Sequence, residues 1–279
     1  MTDPLDRIAA ALERLSPPPP AAADPLAHPA YLWRGRALEP ARAFRPLSLD
    51  ALHGIDRQKA ALLANVHRLA AGHAAHDVLL WGARGTGKSA SVTSAVAAVQ
   101  AGYGQTGGGD LALVEVVTAR LDTLPALFAV LAGVRRAFAV FVDDLGLESA
   151  ADGRALRSML EGGAEARPAN ARLFVTSNRR HVVARDMAGQ AGAGTEGAIN
   201  PRDTADDELA LADRFGLSLG FHAVDQADYL AIVRGYADAR GLLLDEADAL
   251  GWATRRGGRS GRVAWQYVVE LAGRAGLEV

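Results

Sequence analysis

Residues 78–89 read VLLWGARGTGKS, an apolar run that leads directly into a glycine-rich octet. The octet has the spacing G-x-x-x-x-G-K-[ST] of a phosphate-binding loop, which joins a buried strand to the start of a helix. Its glycines let successive backbone N–H groups curve around anionic oxygens, because a Cβ would block either the positive φ angles or the approach of a phosphate. The stretch therefore predicts a strand, a loop that binds a nucleoside triphosphate, and a helix whose positive end faces the phosphates.

Two residues of this loop carry specific chemistry. Lys88 supplies a mobile charge to the terminal phosphates, and Ser89 offers a hydroxyl to Mg²⁺. Lys59 and Lys88 are the only lysines among 30 basic residues, so the chain keeps a lysine where the planar fork of arginine does not fit. ATP and Mg²⁺ are thus the expected cofactors, and the loop residues expected to bind ATP are Gly82, Ala83, Arg84, Gly85, Thr86, Gly87, Lys88 and Ser89.

A hydrolytic site also needs carboxylates for the metal and for the attacking water. The apolar run Val140-Phe141-Val142 ends in Asp143-Asp144, which places two acids at the end of a predicted strand. We assign Asp143 to the metal and Asp144 to the water, as the catalytic base. Glu148, one short turn further on, is an alternative base or a solvated loop carboxylate.

Three more residues are candidates for the catalytic machinery. Asn178 closes the next predicted strand, where its amide would orient the attacking water or else cap the following helix. Arg214 precedes the last predicted strand and is either an arginine finger for a neighbouring subunit or a surface partner of Asp213. Arg262 opens a predicted helix near the C-terminus and would reach back to the phosphates.

Apolar strands alternate with helical patterns through the middle of the chain, which is typical of a parallel, doubly wound α/β sheet. The predicted strands cover residues 78–81, 111–117, 137–142, 173–177 and 217–221. The predicted helices cover residues 57–69, 124–134, 156–162, 226–240, 247–255 and 263–273, with an irregular insertion at 187–204. We therefore expect an N-terminal arm and Pro/Ala-rich linker over 1–45, a nucleotide-binding domain over 46–224, and a small helical lid over 225–279.

Composition narrows the functional classes. The net charge of −2 provides no general field for nucleic acid, and the absence of cysteine excludes disulfides and cysteine metal sites. His67, His73 and His76 lack nearby cysteines and are not expected to bind zinc. Trp252, Trp265 and Tyr267 are expected in the core of the lid. No apolar run is long enough to span a membrane, so we expect a cytoplasmic protein without a membrane partner.

The chain resembles the AAA+ ATPases in the order of five sequence motifs. These are the phosphate loop, Asp143-Asp144, Ser177-Asn178, Asp213-Arg214-Phe215-Gly216 and Gly261-Arg262. The resemblance covers about residues 46 to 275, and it implies a five-stranded core sheet with a helical lid. It further implies that Asn178 and Arg262 are the two sensors, that Arg214 acts in trans, and that Ile55 flanks the adenine. More narrowly, segments such as Arg259-Ser260-Gly261-Arg262 look like an uncharacterised bacterial family of AAA+-type ATP-binding proteins, a domain of unknown function.

Two functions follow as hypotheses. The first is an oligomeric ATPase that remodels or loads an unknown protein client, because an arginine finger requires a neighbouring subunit. Most AAA+ proteins have Asp-Glu where this chain has Asp143-Asp144, which favours slow turnover. The alternative is an ATP-gated switch, or a nucleic-acid-binding module in which Arg255, Arg256, Arg259 and Arg262 contact phosphates. The predicted lid argues against a small-molecule kinase.

Overall fold

The computed structural model describes residues 3–15, 22–102, 110–145, 160, 167–178 and 214–278. The strands in these ranges are β1 (Ala30–Trp33), β2 (Leu38–Pro40), β3 (Val78–Gly82), β4 (Leu111–Val116), β5 (Ala137–Val142), β6 (Ala171–Ser177) and β7 (Leu217–Phe221). The α-helices are α1 (Pro4–Leu15), α2 (Asp56–Ala70), α3 (Lys88–Ala101), α4 (Leu124–Leu131), α5 (Gln226–Asp238), α6 (Glu246–Arg255) and α7 (Gly261–Arg274).

The strands form one sheet of seven in the order β2-β1-β4-β5-β6-β3-β7. Every neighbouring pair is parallel except β1 and β2. All six residues of β5 are buried, as expected for a central parallel strand that is covered on both faces. The predicted doubly wound α/β fold is confirmed, and the five predicted strands correspond to β3, β4, β5, β6 and β7.

The sheet has two more strands than the five predicted, and both come from the segment expected to be an arm and linker. β1 runs parallel to β4, with Leu32 opposite Glu115, and β2 folds back against β1. Tyr31 and Trp33 are fully buried on one face, and the Trp33 indole donates a hydrogen bond to Thr123 Oγ1 at 2.9 Å. Two short strands within a proline-rich segment give almost no periodic signal, so the sequence pattern did not predict them.

Helices cover both faces of the sheet. One hydrophobic cluster lies between the sheet and α2 and α3, and it includes the fully buried Leu62, Val66 and Val92. The other lies under α4, with Leu127 and Leu131 among its members. The two clusters explain why the central strands consist of nearly continuous apolar residues.

Helices α5, α6 and α7 pack around a hydrophobic cluster of their own. Tyr267 is fully buried in this cluster, and Trp252 and Trp265 pack against it, as predicted. Each of the three helices begins at a residue whose side chain accepts a hydrogen bond from a first-turn N–H group: Asp225, Asp245 and Ser260. These caps define three short helices in a segment that the sequence indicated only by periodicity.

Several predictions fall on parts of the chain outside the described residues. These are the alternative base Glu148, nearly all of the helix expected at 156–162, and the insertion at 187–204. Among the residues that the structure describes, no helix has the length and apolar character needed to cross a membrane.

Candidate functional site

Three neighbouring strands end at the same edge of the sheet and bring the predicted site residues together. The phosphate loop follows β3, Asp143 and Asp144 follow β5, and Asn178 follows β6. Because β5, β6 and β3 are adjacent and parallel, their carboxyl ends converge there. In a doubly wound sheet this edge is where ligands bind.

The phosphate loop has the backbone that its glycines were expected to permit. Gly85 and Gly87 have φ angles of +76° and +95°, in a region that residues other than glycine rarely adopt. Gly87 is also the residue that precedes the first turn of α3, so the N–H groups at the start of the helix face the loop. The loop is therefore folded as an anion cradle at a helix N-terminus.

Lys88 is buried beneath this loop with only 5% of its surface exposed. Its ammonium group donates hydrogen bonds to the carbonyl oxygens of Gly82 at 2.9 Å and Ala83 at 2.7 Å, and to Asn178 Oδ1 at 2.9 Å. Burial lowers the pKa of Lys88, and the negative charges of Asp144 and Asp143 partly oppose that shift. The result is a desolvated cation, held by dipoles and close to two carboxylates.

Ser89 and Asp143 form a direct contact across the site. The Ser89 hydroxyl donates to Asp143 Oδ1 at 2.6 Å, and the Thr176 hydroxyl donates to the same oxygen at 2.6 Å. The second hydrogen bond fixes the carboxylate from the neighbouring strand β6. Hydroxyl and carboxylate oxygens are the ligands that Mg²⁺ prefers, so these side chains form a suitable donor set for that ion.

Asp144 has an unusual backbone conformation. Its φ of +51° makes it the only non-glycine residue with positive φ in the described part of the chain. The conformation is retained because its N–H donates to Thr176 Oγ1 at 2.8 Å. Asp is among the residues that tolerate this region, but the left-handed conformation still costs about 1–2 kcal/mol. Such strain is typical of residues at functional sites.

The Asp144 carboxylate lies between two donors. The Asn178 side-chain amide donates to Asp144 Oδ1, while Arg84 Nη2 lies 3.7 Å from Asp144 Oδ2. Asn178 therefore contacts both the Lys88 ammonium and the Asp144 carboxylate. The predicted alternative for Asn178, a helix cap, concerns residues beyond 178 that lie outside the described part of the chain.

These groups line a cavity of 590 Å³ between the sheet edge and the lid. At its phosphate end lie the loop, Asp143, Asp144, Thr176 and Asn178. At its other end lie apolar side chains from both domains, namely Leu47, Leu52, Ile55, Val224, Ile232, Tyr236 and Trp265. Ile55, expected beside the adenine, lies at the start of α2, and a Cβ on Gly87 would be 3.5 Å from its Cδ1.

The lid contacts the phosphate loop directly. The N–H of Gly261 donates to the carbonyl oxygen of Gly85 at 2.9 Å, and a Cβ on Gly85 would lie 2.7 Å from Ser260 Cβ. This contact brings the first turn of α7 against the loop, and Arg262 is among the residues that line the cavity. The lid and the sheet thus enclose one site.

Arg214 lies elsewhere. It precedes β7 at the amino edge of the sheet, where the N–H of Leu217 donates to the carbonyl oxygen of Asp77 at 3.2 Å, and it is not among the residues that line the cavity. A strand of five residues separates this edge from the phosphate loop by about 16 Å. Arg214 is therefore remote from the phosphate site of its own chain.

Sequence reasoning missed several residues of the site. Thr176 was read only as part of a strand end, yet it holds both Asp143 and the Asp144 backbone. Asp228 lines the apolar end of the cavity. No local motif marks Thr176 or Asp228, because each meets the site only through contacts between distant segments.

The remaining basic residues near the lid have partners of their own. The Arg256 guanidinium stacks over Trp252 at 4.5 Å, Arg255 lies 3.8 Å from Asp248, and Arg259 donates to Gln226 at 3.4 Å. Among the described residues, no group of three or more His, Asp or Glu side chains is arranged to hold a metal ion.

Comparisons with known proteins place this geometry in a wider context. A family model described as a protein of unknown function (DUF815) matches residues 26–275. No curated protein sequence matches the chain. A RuvB variant from Thermotoga maritima is 16% identical, with a TM-score of 0.52 over 84% of this chain and 68% of its own. The Aeropyrum pernix ORC1 protein in complex with DNA is 16% identical, with a TM-score of 0.54 over 80% of this chain and 61% of its own. At these identities the likeness shows the fold, which is the AAA+ fold predicted from the motifs.

Proposed function

Because the chain belongs to the DUF815 family of proteins of unknown function, its activity must be inferred from its site, and we propose that it is a Mg²⁺-dependent ATPase of the AAA+ type. One observation carries the proposal. The phosphate loop, the buried Lys88 ammonium, the Ser89–Asp143 pair and Asn178 meet at one end of a 590 Å³ cavity. A cavity of this size accommodates a nucleotide.

The phosphate end fits a triphosphate with a bound Mg²⁺. Lys88 would give its charge to the terminal phosphates, and the first N–H groups of α3 would bind oxygens in the loop. Ser89 and Asp143 would hold the metal, since both are oxygen donors and already lie within 2.6 Å of each other. The metal would neutralise charge that develops on the phosphate oxygens.

Asp144 is the proposed catalytic base, with Asn178 as the residue that positions it. The Asp144 carboxylate lines the cavity and is not one of the two side chains proposed to hold the metal. The Asn178 amide fixes its orientation. A base must lie within hydrogen-bond reach of the proton that it removes, so a fixed orientation is an advantage. Glu148 stays the alternative base.

Two arginines are proposed to act on the phosphates from outside the loop. Arg262 lines the cavity from the lid, so that it would sense the terminal phosphate of its own chain. Arg214 lies at the opposite edge of the sheet, which supports a role as a finger in a neighbouring subunit rather than in its own site. The proposal therefore includes a homo-oligomer that remodels or loads a protein client.

An ATP-gated switch with little hydrolysis is the second candidate. It is favoured by the state of Asp144, a short acid that is already engaged by Asn178 and faces Arg84 at 3.7 Å. A carboxylate held in this way must exchange the Asn178 amide for the water that it would deprotonate, which favours slow turnover. In this case ATP would set the position of the lid without frequent turnover.

The experiment that separates these functions measures ATP turnover and molecular mass together. Turnover is followed over a protein concentration series while light scattering reports mass, with and without Mg²⁺ and ATP. The ATPase proposal expects turnover per chain to rise as an oligomer forms, and Lys88→Ala to remove both ATP binding and turnover. Binding of ATP by a persistent monomer without turnover would support the switch instead, and no ATP binding by the wild-type chain would overturn both.

A further inference from the structure

One face of α5 lines the apolar end of the cavity. Asp228, Ile232 and Tyr236 lie four residues apart, which places them in one row along the helix. Ile232 and Tyr236 are buried and offer apolar surface. Of the cavity-lining carboxylates in the described ranges, Asp228 alone lies at this end, because Asp143 and Asp144 belong to the phosphate end.

The contacts around Gly54 locate Asp228 relative to the phosphate loop. A Cβ on Gly87 in the loop would be 3.5 Å from Ile55 Cδ1. A Cβ on the preceding residue, Gly54, would be 3.3 Å from both Cγ and Oδ1 of Asp228. Ile55 and Gly54 thus lie between the loop and the Asp228 carboxylate, and all of them line the same cavity. A nucleotide whose phosphates occupy the loop would place its base in the part of the cavity that these residues line.

The carboxylate of Asp228 has no hydrogen bond or ion pair with any residue in the described part of the chain. Its backbone N–H donates to Asp225 Oδ1 at 2.8 Å, so Asp225 and not Asp228 caps the helix. An acid in the first turn of a helix is favoured by the helix dipole, which gives a purely structural explanation for Asp228. However, a carboxylate also repels a bound triphosphate, so its place in this cavity is better explained by a donor on the ligand.

We infer that Asp228 selects the base of the nucleotide by accepting a hydrogen bond from the 6-amino group of adenine. The inference rests on the proposed function, because it requires a nucleoside triphosphate in the cavity. Adenine would lie between Ile55 of the core and Ile232 of the lid, with its amino edge towards the carboxylate. Guanine also presents N–H groups to a carboxylate at this edge, and the experiment distinguishes the two bases.

The selection would couple the base to the position of the lid. Asp228 and Arg262 both belong to the lid, whereas Ile55 and the phosphate loop belong to the core. An adenine bound to Asp228 would therefore join the lid to the core at the base end, as Arg262 would at the phosphate end. A base without the amino group would leave one of these two connections unmade.

The experiment measures binding of three nucleotides by titration calorimetry in Mg²⁺. They are ATP, GTP and purine riboside triphosphate, which has hydrogen in place of the 6-amino group. A hydrogen bond to a charged group corresponds to about a 10- to 150-fold difference in affinity. The wild-type chain is therefore expected to bind ATP more tightly than purine riboside triphosphate by that factor, and Asp228→Ala is expected to bind the two equally.

Asp238→Ala is the matched control, since Asp238 lies on the same helix, is exposed, and does not line the cavity. It is expected to keep the wild-type preference for ATP. A purely dipolar role of Asp228 predicts a lower melting temperature with unchanged base preference, which would overturn the inference. Preferential binding of GTP that is lost in Asp228→Ala would overturn the assignment to adenine. If the wild-type chain binds none of the three, the proposed function fails as well, whereas ATP binding without base preference sinks this inference alone.

Discussion

Asn178 forms hydrogen bonds with both the Lys88 ammonium and the Asp144 carboxylate, so its truncation has a specific expected effect. In Asn178→Ala, Lys88 keeps the Gly82 and Ala83 carbonyl oxygens but loses its contact with Oδ1 at 2.9 Å. The Asp144 carboxylate loses its amide donor, and of its partners among the described residues it keeps only Arg84, at 3.7 Å. The substitution therefore frees the proposed base while it leaves the phosphate loop intact.

The expected magnitude follows from the type of bond that is removed. A hydrogen bond to a charged group contributes about 1.5–3 kcal/mol. If that contribution is made to the orientation of Asp144 in the transition state, kcat falls by about 10- to 150-fold. The Kd of ATP should change by less than about threefold, because the loop N–H groups and Lys88 still bind the phosphates.

The assay is steady-state phosphate release together with equilibrium ATP binding, on four proteins: wild type, Asn178→Ala, Asp144→Asn and the double variant. Asp144→Asn is expected to bind ATP and to lower turnover to a small residual rate, and the double variant should be no slower than Asp144→Asn, since the two side chains act as one unit. Arg234→Ala serves as the control, because its exposed ion pair with Glu246 lies outside the cavity and such a pair contributes only about 0–1 kcal/mol. Independent, additive losses from Asn178 and Asp144 would refute the reasoning, and unchanged turnover in Asp144→Asn would transfer the role of base to Glu148.

Three further predictions test other parts of the site. Arg214→Ala should leave ATP affinity nearly unchanged and remove turnover, and mixing it with Lys88→Ala protomers should restore activity if the finger acts across an interface; a mixture without activity would count against that arrangement. Gly85→Ala should lower the free energy of unfolding by about 1–3 kcal/mol more than Gly133→Ala does. Both glycines have φ of +76°, but only a Cβ at Gly85 would meet the lid. Equal effects of the two substitutions in urea titrations would show that the lid does not pack against the loop. Because burial lowers the pKa of Lys88 below its ordinary 10.5 and phosphates bind the charged form, ATP affinity should fall as pH rises through that lowered pKa. ATP binding should then take up protons in that range, which calorimetry in two buffers of different ionisation enthalpy detects, and binding without proton uptake at any pH up to 10.5 would contradict it.

The sequence was sufficient wherever function depends on residues that are close together in the chain. The octet Gly82 to Ser89 encodes its own backbone conformation, because glycine spacing and one lysine are local properties. The run that ends in Asp143 similarly marks a buried strand with an acid at its carboxyl end, and the structure gives β5 the predicted bounds 137–142. Alternation of strands and helices then predicted the parallel sheet, and parallel strands bring their ends to one edge.

Tertiary structure decided which distant residues meet. Strands β1 and β2, of four and three residues, extend the sheet only because β4 offers an edge with which β1 can pair. Nothing in their local sequence distinguishes them from a linker. The fixing of Asp143 by Thr176, the left-handed backbone of Asp144 and the approach of Asp228 to Gly54 each depend on contacts between separate segments. Local sequence therefore determined a nucleotide-binding loop and its sheet by itself. The arrangement of the site around that loop required the fold, because long-range packing and hydrogen bonds, not spacing along the chain, fix those side chains.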